Sequence, residues 1–481
     1  MPFWPKCCSL NAARKTITVE PVFLFFSLAN NLRAIVFQTL LYEKVCSDMF
    51  NSTVCKNLKD PMYKEQETGV QKLASEWEFY ESFAYTLPSI FVNLLYGGMS
   101  DRVSRKLPMI LSPIGAIANA VVLLVLSQHM DAPIPWILLG TLMNAVTGGM
   151  ITMITCSLSY LSVITTEKTR TWRISIAEAM MLISGALALF ISGDLLKVTS
   201  FEFVFSVVIG LNILVILYVV FWLKDVDDGI QKTPGNNGLS TICNWRYFTD
   251  SILVLFKKRE HNRRVHVLVQ LLIIAFFIFA IAPAWTLSYL FLRHEPLSWT
   301  PTMFGHFSGL NAGLRGICLL LALPLMKKYA KMTDTMIMII GSVSGILSLV
   351  VFGVSTETWM VYLVPFLGFF GPSTIISIRG LISTMVEKSE LGKIFGVVAS
   401  LESLSFLLAS CLYNYVLYPH TVKTFPGMSF LVGGATMGIP LALSIWLHRG
   451  VKKEIYNTLV EDVNDKPDAH VIGEEELSAI A

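Results

Sequence analysis

Charge is what this chain has little of. Only 15% of its 481 residues are Asp, Glu, Lys or Arg, against about 25% in soluble domains. The net charge of +3 makes no basic field, and no stripe of Lys and Arg interleaved with aromatics occurs, which excludes nucleic acid as a partner. The usual signatures of chemistry are missing too. There is no Gly-x-x-x-x-Gly-Lys-Ser/Thr phosphate loop to drive a pump with ATP. There is no His-Glu-x-x-His metal helix, and no Gly-x-Ser-x-Gly elbow with partners for its serine. An enzyme is therefore not expected, and no metal or cofactor is implied. No short apolar leader with a small-residue cleavage site follows Lys6, Arg14 and Lys15, so a cleaved signal peptide is not expected. The eight cysteines are scattered. Cys156, Cys318 and Cys411 fall in apolar runs and read as packing residues, while Cys7 and Cys8 stand next to a membrane start, where acylation is a weak reading.

Apolar residues fill the space that charge leaves, at 54% of the chain. A bilayer core of about 30 Å takes about 20 apolar residues per helix, and about a dozen stretches qualify. They are Val19–Leu41, Phe79–Gly98, Pro108–Ser127, Pro135–Leu158, Ile174–Leu196, Phe203–Leu223, Val267–Leu292, Met303–Leu325, Met336–Val354, Met360–Met385, Ile394–Tyr415 and Ser429–Leu447. With the N-terminus inside, most of the 37 Lys and Arg residues fall in cytoplasmic segments. These include Arg102/Arg105/Lys106, Lys168/Arg170/Arg173, the Lys257–Arg264 cluster, Lys327/Lys328/Lys331 and Arg449/Lys452/Lys453. The positive-inside rule thus places both termini in the cytoplasm of a multi-pass protein.

Two connections are long. The segment 42–77 is expected to be an extracellular loop. It holds the acceptor Asn51-Ser52-Thr53 for glycosylation and Cys46 and Cys55, which could pair if that space is oxidising. The segment 224–266 is expected to be a cytoplasmic loop and is polar around Pro234–Gly238. It divides the chain six spans and six: a cytoplasmic N-terminus 1–18, a first bundle 19–223, a second bundle 267–447 and a cytoplasmic tail 448–481. The acidic tail lacks a packable pattern, and Tyr456-Asn457-Thr458-Leu459 in it has the form of a sorting signal. The layout is that of carriers built from two halves with internal repeats.

Small residues recur at helical spacing. Gly305, Gly309 and Gly313 share one face, as do Gly341 and Gly345; close helix packing is the favoured reading of both, with sliding surfaces of a moving carrier as the alternative. Pro372, after Gly368 and Gly371, interrupts the tenth span, where freed backbone groups suit a cavity better than lipid.

After the second span stands Gly97-Gly98-Met99-Ser100-Asp101-Arg102-Val103-Ser104-Arg105-Lys106. Gly97 permits close approach. Asp101, one turn on, can meet the N-terminal end of another helix or an arginine. Arg102, Arg105 and Lys106 can bind carboxylates or lipid phosphates. A conformational latch of Gly97, Asp101, Arg102 and Arg105 is expected, against the simpler reading of positive-inside topology. The order is similar to the loop of the major facilitator superfamily, with Ser104 where that pattern usually has glycine. It implies an all-α membrane protein of twelve transmembrane helices in two six-helix bundles around a central cavity.

Burying a charge costs about 2.5–3.5 kcal/mol on insertion scales, so ionisable residues within spans are functional candidates. Glu20, Glu178 and Glu402 qualify, with Arg33, Arg315 and Arg379. Glu20 lies near a membrane face and is expected to cap the helix at Pro21. Glu402 and Arg315 could pair structurally. Among the histidines, His306 could face the cavity, His294 lies outside, and His266 sits where the central loop meets the seventh span, commonly a solvated position.

Beyond these residues the chain resembles solute carrier family 46, whose best-known member is a proton-coupled folate transporter. The resemblance runs from Val19-Glu20-Pro21 to the last span. It is carried by Ser100-Asp101-Arg102 with Arg105-Lys106, by Arg170-Thr171-Trp172-Arg173 leading to Ala177-Glu178-Ala179, and by Phe291-Leu292-Arg293 with Pro296-Leu297-Ser298-Trp299. Ile378-Arg379-Gly380 and Leu417-Tyr418-Pro419 complete it. By this resemblance Glu178 links proton movement to transport, Arg379 lies at the substrate site, and His266 tunes proton access. There are departures. Ile281 replaces a histidine, Gly149 stands near an expected acid, Thr141 near an expected arginine, and Arg33 where the folate carrier has glutamine. An outer cysteine is absent, so Cys46 and Cys55 would have to pair with each other.

The expected function is proton-coupled symport of an amphipathic organic anion, folate-like, muropeptide-like or cyclic dinucleotide-like, with Arg379 and Arg33 binding the anion. Facilitated uniport of such anions, or a non-transporting receptor of the same fold, are the alternatives. The expected site is the plasma membrane, with an endolysosomal membrane as alternative. The bilayer and a small-molecule organic anion are the expected partners; a monomer is compatible with the sequence, which does not fix an oligomer.

Overall fold

The computed structural model describes residues 17–450 apart from 59–60, 225–244, 260–261, 295 and 423. Cys7, Cys8, the Pro234–Gly238 stretch and Tyr456–Leu459 lie outside the described residues. Among those described, all regular structure is helical. The helices of nine residues or more include α1 (Glu20–Met49), α2 (Lys64–Arg102), α3 (Lys106–Gln128), α4 (Trp136–Val146), α5 (Gly149–Ile164), α6 (Glu167–Val198), α7 (Phe201–Phe221) and α8 (Trp245–Leu253). There follow α9 (Arg263–Thr286), α10 (Pro301–Ile317), α11 (Asp334–Val354), α12 (Thr358–Leu367), α13 (Gly371–Met385), α14 (Leu391–Ser410) and α15 (Met428–Thr436).

Among the described residues, ten helical stretches are long and apolar enough to cross a bilayer, which makes this a multi-pass membrane protein. Two more, α2 and α6, have 39 and 32 residues and contain the expected second and fifth spans; they are long enough to cross, and more polar. Local signals mark several starts. Pro21 occupies the first turn of α1, where a missing N–H costs nothing. Ser200 and Thr333 cap α7 and α11 by accepting the N–H of Phe203 and Met336, as such hydroxyls do at helix starts.

The segment 42–77 is not one loop. α1 runs on to Met49 and α2 begins at Lys64. Hydropathy ends a span where polar residues set in, but these extensions keep a buried apolar side. Val45, Cys46, Leu58, Val70 and Ala74 pack with Leu126, Ile134 and Phe205. A disulfide joins Cys46 and Cys55 within this cluster. Likewise 224–266 is not all loop, because α8 forms inside it.

Packing divides the described residues into two compact units. The first holds those up to Val254 together with Gly305–Ala322 and Val386–Leu408. Within it α1 lies against α6 and α7, α3 against α4 and α7, and α2 against α4 and α8. The second holds Leu255–Phe304, Leu323–Met385 and the described residues from Ala409 on. In it α11 packs on α12, α13 and α15, around a cluster of Phe291, Phe352 and Phe430 with ring centroids 4.6–5.4 Å apart.

The fourth span of each sequence half is broken near its middle. The fourth span is α4 and α5, separated by Thr147 and Gly148; Gly148 and Gly149 have φ of +95° and +50°, a region that favours glycine. The tenth is α12 and α13, separated by Gly368–Phe370. The backbone groups freed at each break are taken up by a neighbouring helix. Tyr96 Oη donates to Val146 O at 3.1 Å and Tyr85 Oη accepts the Met150 N–H at 2.9 Å. At the second break Ser344 Oγ accepts the Phe370 N–H at 3.2 Å and donates to the Leu367 carbonyl.

The two glycine stripes differ. A Cβ on Gly341 would strike Thr374 and Phe370, and one on Gly345 would touch Met437 at 3.3 Å, so that stripe is a packing face. A Cβ on Gly305, Gly309 or Gly313 would meet nothing within 4 Å among the described residues. The packing expectation for that stripe is corrected: equal spacing gives a smooth face, and only the neighbours decide whether it is covered.

Opening the disulfide should matter because it closes a segment with a sequence separation of 9. Chain-entropy arguments give about 2–3 kcal/mol for so short a loop. Cys46→Ala should lower the thermal midpoint of the purified protein, and treatment with reductant should lower the wild-type midpoint but not that of the variant.

Candidate functional site

The sequence places Gly97 and Asp101 on one face of α2, a turn apart, and the structure lays that face on the start of α14. A Cβ on Gly97 would lie 2.5 Å from the Gly392 carbonyl and 2.8 Å from Gly396 Cα, so only glycine allows the backbones this close. Asp101 then reaches the first turn of α14. Its Oδ1 accepts the Gly392 N–H at 2.8 Å and its Oδ2 the Lys393 N–H at 2.9 Å. These amides are orphan donors at a helix start, where negative charge is favoured. Arg105 Nη2 lies 3.2 Å from Asp101 Oδ1, donates to the Lys388 carbonyl at 2.8 Å, and its Nε donates to Ser159 Oγ at 3.2 Å. Asp101 lies beyond the apolar part of α2. Burial raises its carboxyl to about 6, against the opposing pull of Arg105 and the two amides.

Arg102 turns the other way and pairs with Asp250 of α8. Gly98 faces the Tyr247 carbonyl, and Ser251 Oγ donates to Leu94 O at 2.8 Å. The segment expected to be a cytoplasmic loop therefore seats a helix on the end of α2. Asp250 carries no signal in the sequence, where a lone acid in a polar stretch looks like any solvated residue. Lys106 Nζ lies 3.4 Å from the Val220 carbonyl, and Ser104 Oγ accepts the Lys106 N–H at 3.2 Å.

The ionisable residues of the spans fall into three situations. Glu20 is fully engaged. Arg173 donates to its Oε1 through Nη2 at 2.6 Å and Nε at 3.0 Å, and the Thr18 N–H donates to its Oε2 at 2.7 Å. That corrects the expected helix cap: the side chain of Glu20 turns back to Thr18 and across to α6. Glu178 on α6 and Arg379 on α13 are both buried, each 8% exposed, the first in the first unit and the second in the second. Arg315 and Glu402 are half-buried.

Arg33 is the third case. Its Nη1 lies 3.5 Å from Oε1 of Glu81 on α2, and its Nε has no hydrogen-bond partner among the described residues. Thr141 Oγ on α4 donates to the same Glu81 oxygen at 3.3 Å. Tyr85, one turn along α2 from Glu81, holds the Met150 N–H at the start of α5. Gly149 leaves room for that hydroxyl, since a Cβ there would collide with it. Glu81 is the residue that reading the sequence misses, although it lies inside the second span. Its signal is a carboxylate within an apolar run; the neighbouring Glu76 and Glu78 make it look like the end of a loop. The Thr147-Gly148-Gly149 break is legible as a glycine pair inside a span.

His266 is in the first turn of α9 and is buried, with its ring 6.2 Å from that of Trp446. The solvated reading of His266 is therefore corrected: Arg263 and Arg264 keep the helix start polar while the imidazole packs inward. His306 and His294 are exposed. Asn51 is exposed just before a short helix, Ser52–Lys56. Lys44, assigned from sequence to the outer loop, is on α1 and only 1% exposed. It donates to the carbonyls of His129 and Met130, at 3.1 and 3.0 Å, beyond the end of α3, where a cation is favourable.

Known proteins share this architecture. The model of the Major Facilitator Superfamily matches residues 61–410. The lysosomal proton-coupled steroid conjugate and bile acid symporter SLC46A3 of Gallus gallus is 27% identical over 447 residues, covering 90% of this chain and 94% of its own. The proton-coupled folate transporter of Rattus norvegicus is 27% identical over 431 residues, 88% of this chain and 90% of its own. Among solved structures, the human organic anion transporter MFSD10 (TETRAN) superposes with a TM-score of 0.65 at 12% identity, covering 88% of this chain and 98% of its own. A variant of the Escherichia coli fucose:proton symporter FucP does so with 0.64 at 12% identity, covering 89% and 97%. The chain belongs to the Major Facilitator Superfamily. It has that fold, its resemblance to solute carrier family 46 extends over nearly its whole length, and it is a transporter by family rather than an enzyme.

The contact of α2 with α14 should depend on charge. Each hydrogen bond to an ionised group contributes about 1.5–3 kcal/mol, and Asp101→Asn weakens several at once. In a Ser159→Cys background, Asp101→Asn should raise the rate of thiol labelling at the buried position 159 at least several-fold. An unchanged rate would show that the aspartate does not hold this contact closed.

Proposed function

We propose that the protein is a proton-coupled symporter of an amphipathic organic anion. The observation that carries the reading is the burial of charged side chains in membrane helices. Glu178 and Arg379 are sequestered in their respective units, and Arg33 has unused hydrogen-bonding capacity. Such groups are costly in hydrocarbon and are kept where a polar route needs them. Arg379 binds the anion in the second unit, and Arg33 is an anion-binding residue of the first. Guanidinium suits this role because it stays charged and presents a planar fork to carboxylate, sulfate or phosphate. Glu178 takes up and releases the proton, and His266 tunes proton access.

Further support comes from the relatives, whose names describe proton-coupled carriers of folate and of steroid conjugates and bile acids. Interrupted spans at matching places in the two sequence halves are a known pointer to substrate sites in such carriers. The α2–α14 contact through Gly97, Asp101 and Arg105, with Arg102 anchoring α8, acts as the latch of the cytoplasmic side. In this reading both termini are cytoplasmic, Asn51 is glycosylated on the opposite side with the Cys46–Cys55 bridge, and the protein works at the plasma membrane or an endolysosomal membrane. A ligand shifts the carrier between its open states only by its difference in affinity for them.

Uptake of labelled folate, a bile acid and a steroid sulfate into vesicles should be faster at acid than at neutral outside pH for at least one of them. Arg379→Ala should raise KM about tenfold or more, the loss of one charged hydrogen bond or more. Glu178→Gln should leave flux low at both pH values, with the acid stimulation gone. Equal wild-type uptake at the two pH values would point to uniport, and saturable binding of these anions without flux would point to a receptor.

A further inference from the structure

Two glutamate–arginine pairs in the first unit are built differently, and the difference points to a role for one of them. Glu20 and Arg173 form a closed pair. Two N–H groups of Arg173 meet one oxygen at 2.6 and 3.0 Å, and Thr18 satisfies the other. Glu81 and Arg33 form an open one. Their nearest approach is 3.5 Å, well beyond the roughly 2.7–2.9 Å of a charge-assisted hydrogen bond. Arg33 Nε is buried and has no partner among the described residues, although a guanidinium carries five donors. Thr141 supplies a hydroxyl to Glu81 at 3.3 Å. Asn144, three residues along α4 from Thr141, is buried, and its Oδ1 has no partner among the described residues. This is polar capacity without matching acceptors and donors, beside a break in the fourth span.

We propose that Glu81 is a protonatable counter-ion that occupies Arg33 until a substrate anion replaces it, making Arg33, Glu81 and Thr141 a proton-gated anion subsite. The inference rests on the symport reading and adds a residue that reading does not use. While Glu81 is ionised it competes with the substrate for Arg33. Once it binds a proton its attraction for the guanidinium is gone, Arg33 remains a cation, and a carboxylate, sulfate or phosphate can take both faces of the fork. One proton on Glu81 and one negative charge on Arg33 leave the net charge of the subsite unchanged, so a proton and an anion load together. Among the described residues, the charged and titratable groups that act on Glu81 include Arg33 from α1 and Tyr85 and Glu78 on its own helix; the fourth span adds the Thr141 hydroxyl and the Met150 amide that Tyr85 holds.

The sign of the effect separates this subsite from Glu178. Uptake of labelled folate, a bile acid and a steroid sulfate is measured in vesicles containing the full chain. Glu81→Gln should mimic the protonated state: uptake at neutral pH should rise to within about twofold of the acid rate, and KM at neutral pH should fall about ten- to hundredfold, the reach of one charged hydrogen-bonded contact. Glu81→Asp should restore a steep pH profile. Arg33→Gln should raise KM at acid pH and make the Glu81→Gln change silent in the double variant. A Glu81→Gln protein that is delivered to the membrane in wild-type amount and keeps the wild-type pH profile would overturn the proposal while leaving the symport reading intact. Should the wild type carry none of the three anions, the symport reading falls. Thermal-shift titration of the same anions against purified wild type and Glu81→Gln then decides the subsite: tighter binding at neutral pH by the variant upholds it, and equal binding removes it.

Discussion

A polar group inside an apolar helix bundle has to find its partner within the chain. Hydrocarbon offers no hydrogen bonds, and each unsatisfied backbone group or charge there costs several kcal/mol. The rest of this structure depends on that constraint. The fourth and tenth spans can break because Tyr85 and Tyr96 serve one break and Ser344 the other. Without those hydroxyls the freed amides and carbonyls would hold the spans straight.

The same constraint sorts the charged residues by what their partners leave over. Glu20 and Arg173 satisfy each other and fix the start of α1 to α6. Asp101 satisfies the orphan amides of α14 and is itself held by Arg105. This contact joins helices far apart in sequence through glycines at 97, 392 and 396, where the backbones nearly touch. Arg33 and Glu81, in contrast, hold each other loosely. A loose pair costs something to bury and gains little.

Much of this is legible in the order of the amino acids. Hydropathy marks where the spans lie, and the loop after the second span identifies Gly97, Asp101 and Arg105 as a unit. The places where sequence and structure part share a cause. The extensions of α1 and α2 look like loop, since hydropathy measures average polarity and not the one buried side that Val45 and Val70 provide. Glu81 is hidden because it follows a run of acids that looks like surface. The Gly305 stripe has the same spacing as the Gly341 stripe, and spacing alone cannot tell a covered face from an open one.

What the sequence determined by itself is the medium and the periodicity: apolar runs of bilayer length, basic segments at one end, and glycines or a proline where a helix must bend. These follow from local chemistry and need no knowledge of neighbours. Which carboxylate meets which arginine was decided only by tertiary structure. Glu20 could not be seen to meet Arg173, nor Glu81 to meet Arg33, because each pair joins residues far apart in the chain. The worth of each pair depends on whether a third group, Thr18 for the one and Thr141 for the other, completes it.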